Sequence, residues 1–353
     1  MPRSIKDLSI EEMEILMKDL GQPRYRADQV YEWIHSRNAS SYAEMTNLPK
    51  NLRERLTELY PIERVSIKER FESDDGSVRY VIELSDGTLT EMVSILSGPG
   101  TDEEDDSDDR RMTACVSSQA GCPLECEFCA TGKQGLTRDL TVDEIASQVV
   151  LMQKDRGKRV SNVVLMGQGE PFLNYDNVLA AIRRMNRDKG LGIGARHITI
   201  STSGIIEGIY DLAEEPEQFR LAVSLHSADQ RTRNSLMPRL SGQPLHRLKK
   251  ALKDYCDIKG RRITIEYMLL DGINDSDDQL DRLVEFCSGL NVHVNMIKFN
   301  GHPGSDLKPS SDKRMEEWLD ALKEKGIKAS PRISKGQDVL GACGQLMLDS
   351  TRD

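Results

Sequence analysis

An alternation of strand, loop and helix, repeated from residue 112 onward, constrains the fold of this chain more than any other feature. Short β-rich segments recur there, and most are separated by stretches long enough for a helix. Six such βα units, with their strands in parallel, make most of a barrel that closes only in part. We therefore predict an α/β fold with a partial (βα)6 TIM-like barrel over residues 98–353. The six predicted strands are MTACVSS, SNVVLMG, HITIST, RLAVSLH, TIEYMLL and VHVNMIKF.

The residues before the barrel show two different patterns. Three helical signals, in IEEMEILMKDL, RADQVYEWIHS and the segment that follows Pro49, predict a small helical domain over residues 1–60. The next run, residues 61–97, contains β-rich segments separated by Asp-Gly pairs at 75–76 and 86–87. Asp-Gly between such segments is a strong hairpin signal, so we predict a small antiparallel β segment that links the helical domain to the barrel.

Charge does not exclude RNA as a partner. The chain of 353 residues has a formal net charge of −10, but the segment DEEDDSDD at 102–109 holds seven of the acidic residues, which leaves only −3 for the rest. A charge block of this kind is usually a solvated loop. Basic patches elsewhere could still bind a phosphate backbone.

The cellular compartment of the protein can also be predicted from the sequence. No run of eighteen apolar residues occurs, so we expect no membrane span, and the first residues lack the apolar core of a secretory signal. Four of the seven cysteines crowd into residues 115–129, which is unlike the spread disulfide framework of a secreted protein. We therefore expect a cytoplasmic protein whose clustered thiolates serve as metal ligands or in redox chemistry.

The crowded cysteines include the triplet Cys122, Cys126 and Cys129, spaced C-x3-C-x2-C in the loop after the first predicted barrel strand. Three thiolates can bind three irons of a [4Fe–4S] cubane and leave the fourth iron free for a substrate. S-adenosylmethionine fits that position through its amino and carboxylate groups, and an electron from the cluster then cleaves it to a 5′-deoxyadenosyl radical. The alternative is a structural zinc site with a fourth ligand from elsewhere, but the position after a barrel strand favours the cluster.

Polar residues follow the ends of successive predicted strands. In GQGEP, at 167–171, glycine lets the backbone approach a ligand closely, and the glutamate offers an acceptor for an ammonium group. Taken singly, such residues are more often loop caps than ligands, but their recurrence at the same end of successive strands favours a shared site. The polar residues at these strand ends are Glu170, Ser201, Ser224, His226 and Asn300.

Two further cysteines stand apart from the triplet. Cys115 precedes the triplet by seven residues, and Cys343 lies near the end of the chain in GACGQL. An isolated cysteine is usually a small buried hydrophobe, and we interpret Cys256 and Cys287, on predicted helices, in that way. Cys343 differs because its small neighbours leave room for a bulky partner.

Motifs along nearly the whole chain give it a clear resemblance. In order they are YRADQVYEWI, EMTNLPKNLRERL, CVSSQAGCPLECEFCATGKQG, GEPFLNYDNV, STSG, SLHSADQRTRNSLMP, EYMLLDGINDS and ACGQL. The sequence resembles the RlmN/Cfr radical adenine methyltransferases, and most closely their adenine-C2 branch. That resemblance implies a helical N-terminal RNA-binding domain followed by a partial radical SAM barrel. It also implies that S-adenosylmethionine is bound by Gly169, Glu170, Ser201, Ser224, Leu225, His226 and Asn300.

The resemblance also implies a mechanism that uses two S-adenosylmethionine molecules per turnover. Cys343 matches the cysteine that first takes a methyl group by displacement. The radical formed at the cluster from the second molecule removes a hydrogen from this S-methyl group, and the resulting methylene radical adds to C2 of an adenine. Glu91 matches the base that removes the C2 proton. Cys115 matches the thiolate that attacks Cys343 and frees the product through a disulfide.

The substrates implied by the resemblance are an adenosine of 23S ribosomal RNA at the peptidyl-transferase centre and an anticodon-loop adenosine of tRNA. An adenine attacked at C2 must be unstacked, which favours loops over duplex. We expect a monomer that takes its electron from an external donor such as a flavodoxin or ferredoxin. Candidate RNA contacts, each equally typical of a solvated charge, are Arg24, Arg26, Lys50, Arg53, Arg55, Lys133 and Arg138.

Two alternatives remain open at this point. One is a Cfr-type methyltransferase that acts on adenine C8, and the other is a non-catalytic RNA-binding protein stapled by zinc or an iron–sulfur cluster. The chain also departs from the family pattern. Its acidic loop at 102–109 is longer than usual, Gln168 replaces a commoner methionine, and residues 238–245 lack the asparagine usual in Pro-x-Asn.

Overall fold

The fold is built on one ten-stranded sheet, described by a computed structural model that covers residues 4–37, 39–62, 65–98, 110–187 and 190–347. The acidic loop predicted at 102–109 lies outside these residues. The strands are β1 (Ser66–Glu72), β2 (Val78–Glu83), β3 (Leu89–Ser97), β4 (Arg111–Cys115), β5 (Gln119–Gly121), β6 (Leu136–Asp139), β7 (Val160–Leu165), β8 (Ile198–Thr202), β9 (Arg220–Ser224), β10 (Ile263–Leu269), β11 (Val292–Lys298) and β12 (Lys328–Arg332).

Helices precede the sheet and alternate with its parallel strands. The α-helices are α1 (Ile10–Asp19), α2 (Tyr25–His35), α3 (Lys50–Leu59), α4 (Ala130–Gln134), α5 (Val142–Arg156), α6 (Tyr175–Asn186), α7 (Ile206–Glu214), α8 (Gln230–Leu236), α9 (Leu245–Lys259), α10 (Asp277–Cys287) and α11 (Asp312–Glu324).

The parallel part of the sheet confirms the predicted fold class. Strands β4, β7, β8, β9, β10 and β11 are neighbours in this order and correspond to the six predicted strands. They pair in parallel, as in Ile265 with Val294 and Ile200 with Leu221. The two ends of the sheet, β1 and β12, do not pair with each other, so the barrel stays partial.

A seventh parallel strand, β12, pairs with β11 and was not predicted from the sequence. Its residues, KASPR, lack an apolar run, and they include Pro331, which cannot donate a ladder hydrogen bond. Proline is tolerated in β12 because this strand is the edge of the sheet. The failure to predict β12 matters for the site because this strand ends at Arg332.

The antiparallel strands β1, β2 and β3 extend the same sheet rather than forming one of their own. Both predicted Asp-Gly turns connect these strands, and β3 then pairs antiparallel with β4. In that ladder Val93 lies opposite Cys115, and Glu91 lies opposite Val81 of β2. The pairing therefore brings the strand of Glu91 beside the strand that ends at Cys115.

The N-terminal helices have a core separate from that of the barrel. Met13, Met17, Leu52 and Leu56 belong to the first core, whereas Trp318 and Tyr267 are buried in the second. Helix α1 begins with a capping box in which Ser9 and Glu12 bond each other's backbone amides. The predicted boundaries of the helical domain, at 1–60, and of the β segment, at 61–97, stay predictions.

Candidate active site

A cavity of about 620 Å³ opens where the parallel strands of the barrel end. This volume is in the range of sites for small molecules and cofactors. Ten of the thirteen predicted site residues line it, and they come from five strand ends and loops and from the C-terminal tail. These ten are Cys115, Cys122, Cys126, Cys129, Gly169, Glu170, Ser201, Ser224, His226 and Cys343.

The cysteine triplet lies on a loop that starts from a two-stranded hairpin. Strands β5 and β6 pair antiparallel, and the backbone amide of Cys122 donates to the carbonyl oxygen of Gly135 at 2.9 Å. Gly121 precedes the loop with φ +78°, and a Cβ atom there would lie 2.0 Å from that same oxygen. Only glycine fits this close approach. The hairpin therefore fixes where the triplet begins.

The three thiols of the triplet share one electrostatic environment. Burial raises the pKa of Cys122 to about 12 and that of Cys126 well above the ordinary value, and the neighbouring Cys129 raises both further. Iron binding requires the thiolates, so ligation releases these protons. Among the described residues, no group of three or more His, Cys, Asp or Glu side chains could hold a single metal ion. Three thiols gathered on one loop at the cavity wall fit a [4Fe–4S] cluster, which takes one thiolate per iron.

Glu170 lies at the cavity wall, held by backbone amides. Its Oε1 accepts from the amide of Phe172 at 3.1 Å, and its Oε2 accepts from the amide of Ser203 at 2.7 Å. A carboxylate has about four lone-pair positions, so two bonds leave capacity for an ammonium group. The preceding residue, Gly169, has φ +100°, and a Cβ atom there would lie 2.6 Å from Cβ of Gln119. This packing explains why position 169 needs glycine.

His226 follows Ser224 at the end of β9 and faces the cluster loop. Its Nδ1 accepts a hydrogen bond from the backbone amide of Met268 at 3.1 Å, so a neutral ring carries its proton on Nε2. Burial, with a smaller contribution from Arg233, lowers the pKa of His226 to about 3, which keeps the ring neutral. The ring also meets Phe128 of the cluster loop edge to face, with centroids 4.6 Å apart. His226 is therefore a fixed, neutral hydrogen-bond donor.

Three predicted residues do not line the cavity: Glu91, Leu225 and Asn300. Leu225 is buried in the barrel core, and its backbone amide donates to the carbonyl oxygen of Glu266 at 3.0 Å. Asn300 instead contacts the C-terminal tail, because its Nδ2 donates to the carbonyl oxygen of Cys343 at 3.3 Å. Its contact in this structure is thus with the tail that carries Cys343.

Glu91 is fully buried, with 0% of its surface exposed. Its Oε1 forms an ion pair with Nε of Arg79 at 2.6 Å, and its Oε2 accepts from Nε2 of Gln168 at 2.8 Å. Its own backbone carbonyl accepts from the hydroxyl of Ser117 at 2.6 Å. The carboxylate therefore contacts Arg79 and Gln168 and is not part of the cavity wall.

The C-terminal tail that carries Cys343 is seated on the cluster loop and the start of α4. The amide of Ala130 donates to the carbonyl oxygen of Gly344 at 2.8 Å, and the hydroxyl of Thr131 donates to that of Leu346 at 2.6 Å. Gln345 adds a bond from its Nε2 to the carbonyl oxygen of Gly301 at 2.7 Å. These bonds hold Cys343 at the cavity beside the triplet.

Cys115 ends β4 on the same cavity wall and is buried beside Val93 and Leu346. Burial raises the pKa of Cys115 to about 12, and the nearby Cys343 raises it further. Leu346 lies three residues beyond Cys343, so the tail itself covers Cys115. The structure thus brings the two lone cysteines of the sequence to one place.

Two charged residues at the cavity were missed in the sequence. Glu266, on β10, lines the cavity and accepts from Nδ2 of Asn295 at 3.0 Å. Arg332, at the end of β12, contacts Glu266 at 3.3 Å, and the nearby Cys343 raises its pKa. A lone glutamate within the apolar run TIEYMLL was the one available signal. Arg332 gave none, because its strand was not predicted.

Several of the candidate RNA contacts have partners within the chain. Arg138 binds both carboxylate oxygens of Glu144, at 2.8 and 2.7 Å, and also contacts Asp86 at 2.8 Å. Lys133 donates to the carbonyl oxygen of Gly304 at 2.7 Å. Such bonds give these cations a structural role. The remaining candidates lie on the N-terminal domain, where the side chain of Arg24 is 81% exposed.

Comparison with known proteins decides the family. A model of the ribosomal RNA large subunit methyltransferase N-terminal domain matches residues 4–62, and the radical SAM superfamily model matches residues 116–287. A relative from Thermoanaerobacter sp. (strain X514), a probable dual-specificity RNA methyltransferase RlmN, is 40% identical over 344 residues, which cover 97% of each chain. The chain belongs to the RlmN family.

Further comparisons agree with this assignment to the RlmN family. A probable dual-specificity RNA methyltransferase RlmN from Synechococcus elongatus is 42% identical and covers 96% of this chain and 91% of its own. The crystal structure of a radical SAM methyltransferase from Sphaerobacter thermophilus superposes with a TM-score of 0.89 at 39% identity, covering 98% of this chain and 99% of that one. The resemblance seen in the sequence is confirmed.

Membership of the RlmN family also settles the cofactors. As a radical SAM RNA methyltransferase, the protein uses a [4Fe–4S] cluster and S-adenosylmethionine, as predicted. The assignment of individual ligands to the triplet and to the strand ends stays a prediction. Within the described part of the chain, each helix is too short or too polar to cross a membrane.

Proposed function

We propose that this RlmN-family protein methylates C2 of an adenosine in 23S ribosomal RNA at the peptidyl-transferase centre, and of the anticodon-loop adenosine of tRNAs. One observation carries the proposal: Cys115 and Cys343 line the same cavity as Cys122, Cys126 and Cys129. A methyl carrier beside a radical centre suits an adenine C2, an electrophilic carbon that cannot attack a sulfonium directly. The dual-specificity names of the relatives support two classes of RNA substrate.

In this proposal Cys343 is the methyl carrier. Its Sγ forms a bond to the methyl carbon of one S-adenosylmethionine, the sulfonium C–S bond breaks, and the thiol proton is lost. When bound by the triplet, the cluster would supply the electron that cleaves a second molecule to an organic radical. Glu170 would hold the amino group of that molecule, and the strand-end residues Ser201, Ser224 and His226 would add polar contacts.

Glu91 is proposed as the base that accepts the C2 proton of adenine. For this role its carboxylate has to exchange the bond from Gln168 for a contact with the substrate when RNA binds. A positioned general base contributes about 10²–10⁴-fold. We therefore expect Glu91→Gln to lower the rate of RNA methylation by at least about 100-fold. Mass spectrometry of the protein should still find Cys343 methylated.

The matched control for Glu91 is Glu83→Gln, because the half-exposed Glu83 lies on the neighbouring strand and its ion pair with Lys68 is long, at 3.9 Å. It should methylate RNA at the rate of the unaltered protein. Thermal unfolding of both variants shows how much stability is lost with the Arg79 ion pair. A folded variant with a low methylation rate has then lost the base and not the fold. A fully active, folded Glu91→Gln variant would contradict the assignment.

Cys115 is proposed as the thiolate that attacks the sulfur of Cys343 and releases the methylated RNA. An S–S bond forms, the bond from the Cys343 sulfur to the carbon on the RNA breaks, and that carbon keeps the electron pair and takes up a proton. An external thiol reductant then reduces the disulfide left between the two cysteines.

Because the pKa of Cys115 is raised to about 12, the thiol form dominates at neutral pH, and the thiolate fraction rises about tenfold per pH unit. We expect the decay of the covalent RNA–protein adduct to accelerate about tenfold per unit between about pH 7 and 9. This decay is measured by quenching single-turnover reactions at successive times and following the adduct on denaturing gels.

The control for adduct decay is Cys115→Ala, which should accumulate the adduct at every pH. A decay rate that does not change with pH in the unaltered protein, or free methylated RNA from Cys115→Ala, would exclude Cys115 as the attacking thiolate. The pH dependence tests whether a thiolate is the attacking species, and the Cys115→Ala variant tests whether that thiolate is Cys115.

The site of methylation is tested by expressing the protein in a host that lacks its own enzyme. Mass spectrometry of digested 23S ribosomal RNA and tRNA resolves 2-methyladenosine from 8-methyladenosine. We expect 2-methyladenosine in both RNA classes. Finding 8-methyladenosine would instead assign the Cfr-type reaction, and unmodified RNA would contradict the proposal.

We further infer that an external flavodoxin or ferredoxin supplies the electron. We also infer that the protein acts in the cytoplasm as a monomer and binds no membrane. These points stay predictions, because they follow from the resemblance and the composition alone.

A further inference from the structure

Arg233, on α8, is a buried arginine whose guanidinium group lacks a full set of partners. None of its surface is exposed, and among the described residues only Nη2 makes a hydrogen bond, to the carbonyl oxygen of Ser203. In the part of the chain that the structure describes, its Nε and Nη1 atoms have no hydrogen-bond partner, and no acidic residue forms an ion pair with Arg233. A buried charge is costly unless a counter-charge meets it. The site around Arg233 therefore needs an anion.

Helix α8 is attached directly to the cluster loop. The backbone amide of Glu127 donates to the carbonyl oxygen of Leu236 at 3.0 Å, and Leu236 and Met237 share one hydrophobic core with Cys126. The amide of Met237 in turn donates to the carbonyl oxygen of Arg233 at 2.9 Å. Arg233 thus lies one helical turn before the residues that pack against the triplet.

Cys126 becomes an anionic neighbour of Arg233 when iron binding removes its thiol proton. Burial lowers the pKa of Arg233 to about 10, and Cys126, followed by Glu170, opposes that lowering. The side chain therefore stays cationic at neutral pH. Glu170 forms no ion pair with Arg233 among the described residues, and in the proposed function its remaining hydrogen-bonding capacity holds the amino group of S-adenosylmethionine. An iron-bound thiolate at Cys126 is therefore the anion left for Arg233.

We propose that Arg233 is the counter-charge of the iron–sulfur centre, acting through Cys126 as a positioning residue. The inference rests on the proposed role of Cys126 as a ligand. Each thiolate adds one negative charge to the centre, and the electron from the external donor adds another. The reduction potential of such centres depends on net charge and burial, so a fixed cation beside one ligand favours the reduced state. Arg233 makes the electron transfer that starts the reaction easier.

The test compares reduction potentials of anaerobically reconstituted proteins, measured without S-adenosylmethionine or RNA by electron paramagnetic resonance at poised potentials. In Arg233→Gln we expect the ratio of reduced to oxidised centre at a fixed potential to fall about tenfold, which is a shift of about 59 mV to lower potential. Arg233→Lys keeps the charge and should stay near the unaltered protein. The matched control is Arg231→Gln, on the exposed side of the same helix, which should change nothing.

Each outcome decides the inference. A neutral variant, Arg233→Gln or Arg233→Met, that holds its full iron content with an unchanged potential overturns it. If both neutral variants lose iron while Arg233→Lys retains it, charge is what the centre requires, and the inference stands. If all three lose iron, the side chain is needed for packing and the inference fails. An unaltered protein that takes up no iron would instead contradict the proposed function.

Discussion

Replacing Cys343 with alanine is expected to abolish RNA methylation, with a loss of at least about 10⁴-fold, while the iron content of the protein stays unchanged. The reason is that the variant has no sulfur to carry the methyl group into the cavity. The tail around Cys343 is held by backbone bonds from Ala130 and Thr131 to Gly344 and Leu346, which the substitution does not touch. The fold of the tail should therefore survive. Mass spectrometry of digested substrate RNA measures the product.

The control for Cys343 is Cys256→Ala, because Cys256 lies half-buried on α9, away from the cavity. We expect it to methylate RNA within about twofold of the unaltered rate, as surface substitutions usually change little. Product formed by Cys343→Ala at a comparable rate would mean that the methyl group reaches RNA without passing through this cysteine. That result would exclude the proposed carrier.

Replacing Cys126 with alanine is expected to remove the iron–sulfur centre and, with it, all methylation. Cys126 is one of three predicted ligands, and two remaining thiolates cannot occupy three corners of a cubane. Iron should fall from about four atoms per chain to a small residue, and the visible absorbance of the reconstituted protein should vanish. The loss of activity should equal or exceed that of Cys343→Ala.

The same Cys256→Ala protein serves as the control for iron content and should bind iron normally. Circular dichroism of Cys126→Ala tests that the protein remains folded, because the substitution removes a buried sulfur atom. Wild-type iron content in this variant would remove Cys126 from the ligand set. One zinc per chain in the unaltered protein, in place of iron, would contradict the cluster itself.

The barrel could be predicted from the sequence because its strands are short apolar runs between helical stretches. The six predicted segments are β4 and β7–β11, and Asp-Gly pairs correctly marked the turns of β1–β3. Strand β12 could not be predicted because KASPR has neither an alternation of apolar and polar residues nor an apolar run. Its formation depends on pairing with β11. This long-range pairing, rather than the local sequence, makes the segment a strand.

The candidate site could be predicted only where residues stand in motifs. Cys122, Cys126, Cys129, Gly169 and Glu170 do, and all of them line the cavity. The approach of the lone cysteines depends instead on the tail folding back over the barrel, which no local pattern encodes.

Charged residues at the site were harder to predict. Arg233 resembles an ordinary surface charge in sequence, and only the packing of α8 shows that it is buried. Glu266 gave one signal, its place within the apolar run TIEYMLL. Glu91 followed from the resemblance alone, and its ion pair with Arg79 could not be foreseen, because it depends on the pairing of β2 with β3.

S-adenosylmethionine with a fully deuterated methyl group tests most directly whether carbon travels through Cys343. One hydrogen is removed from the S-methyl group before its carbon reaches the RNA, and a proton replaces it when the product is released. Mass spectrometry should therefore find 2-methyladenosine whose methyl group carries two deuterium atoms. A methyl group that keeps all three would show direct transfer from the sulfonium and would contradict the carrier mechanism.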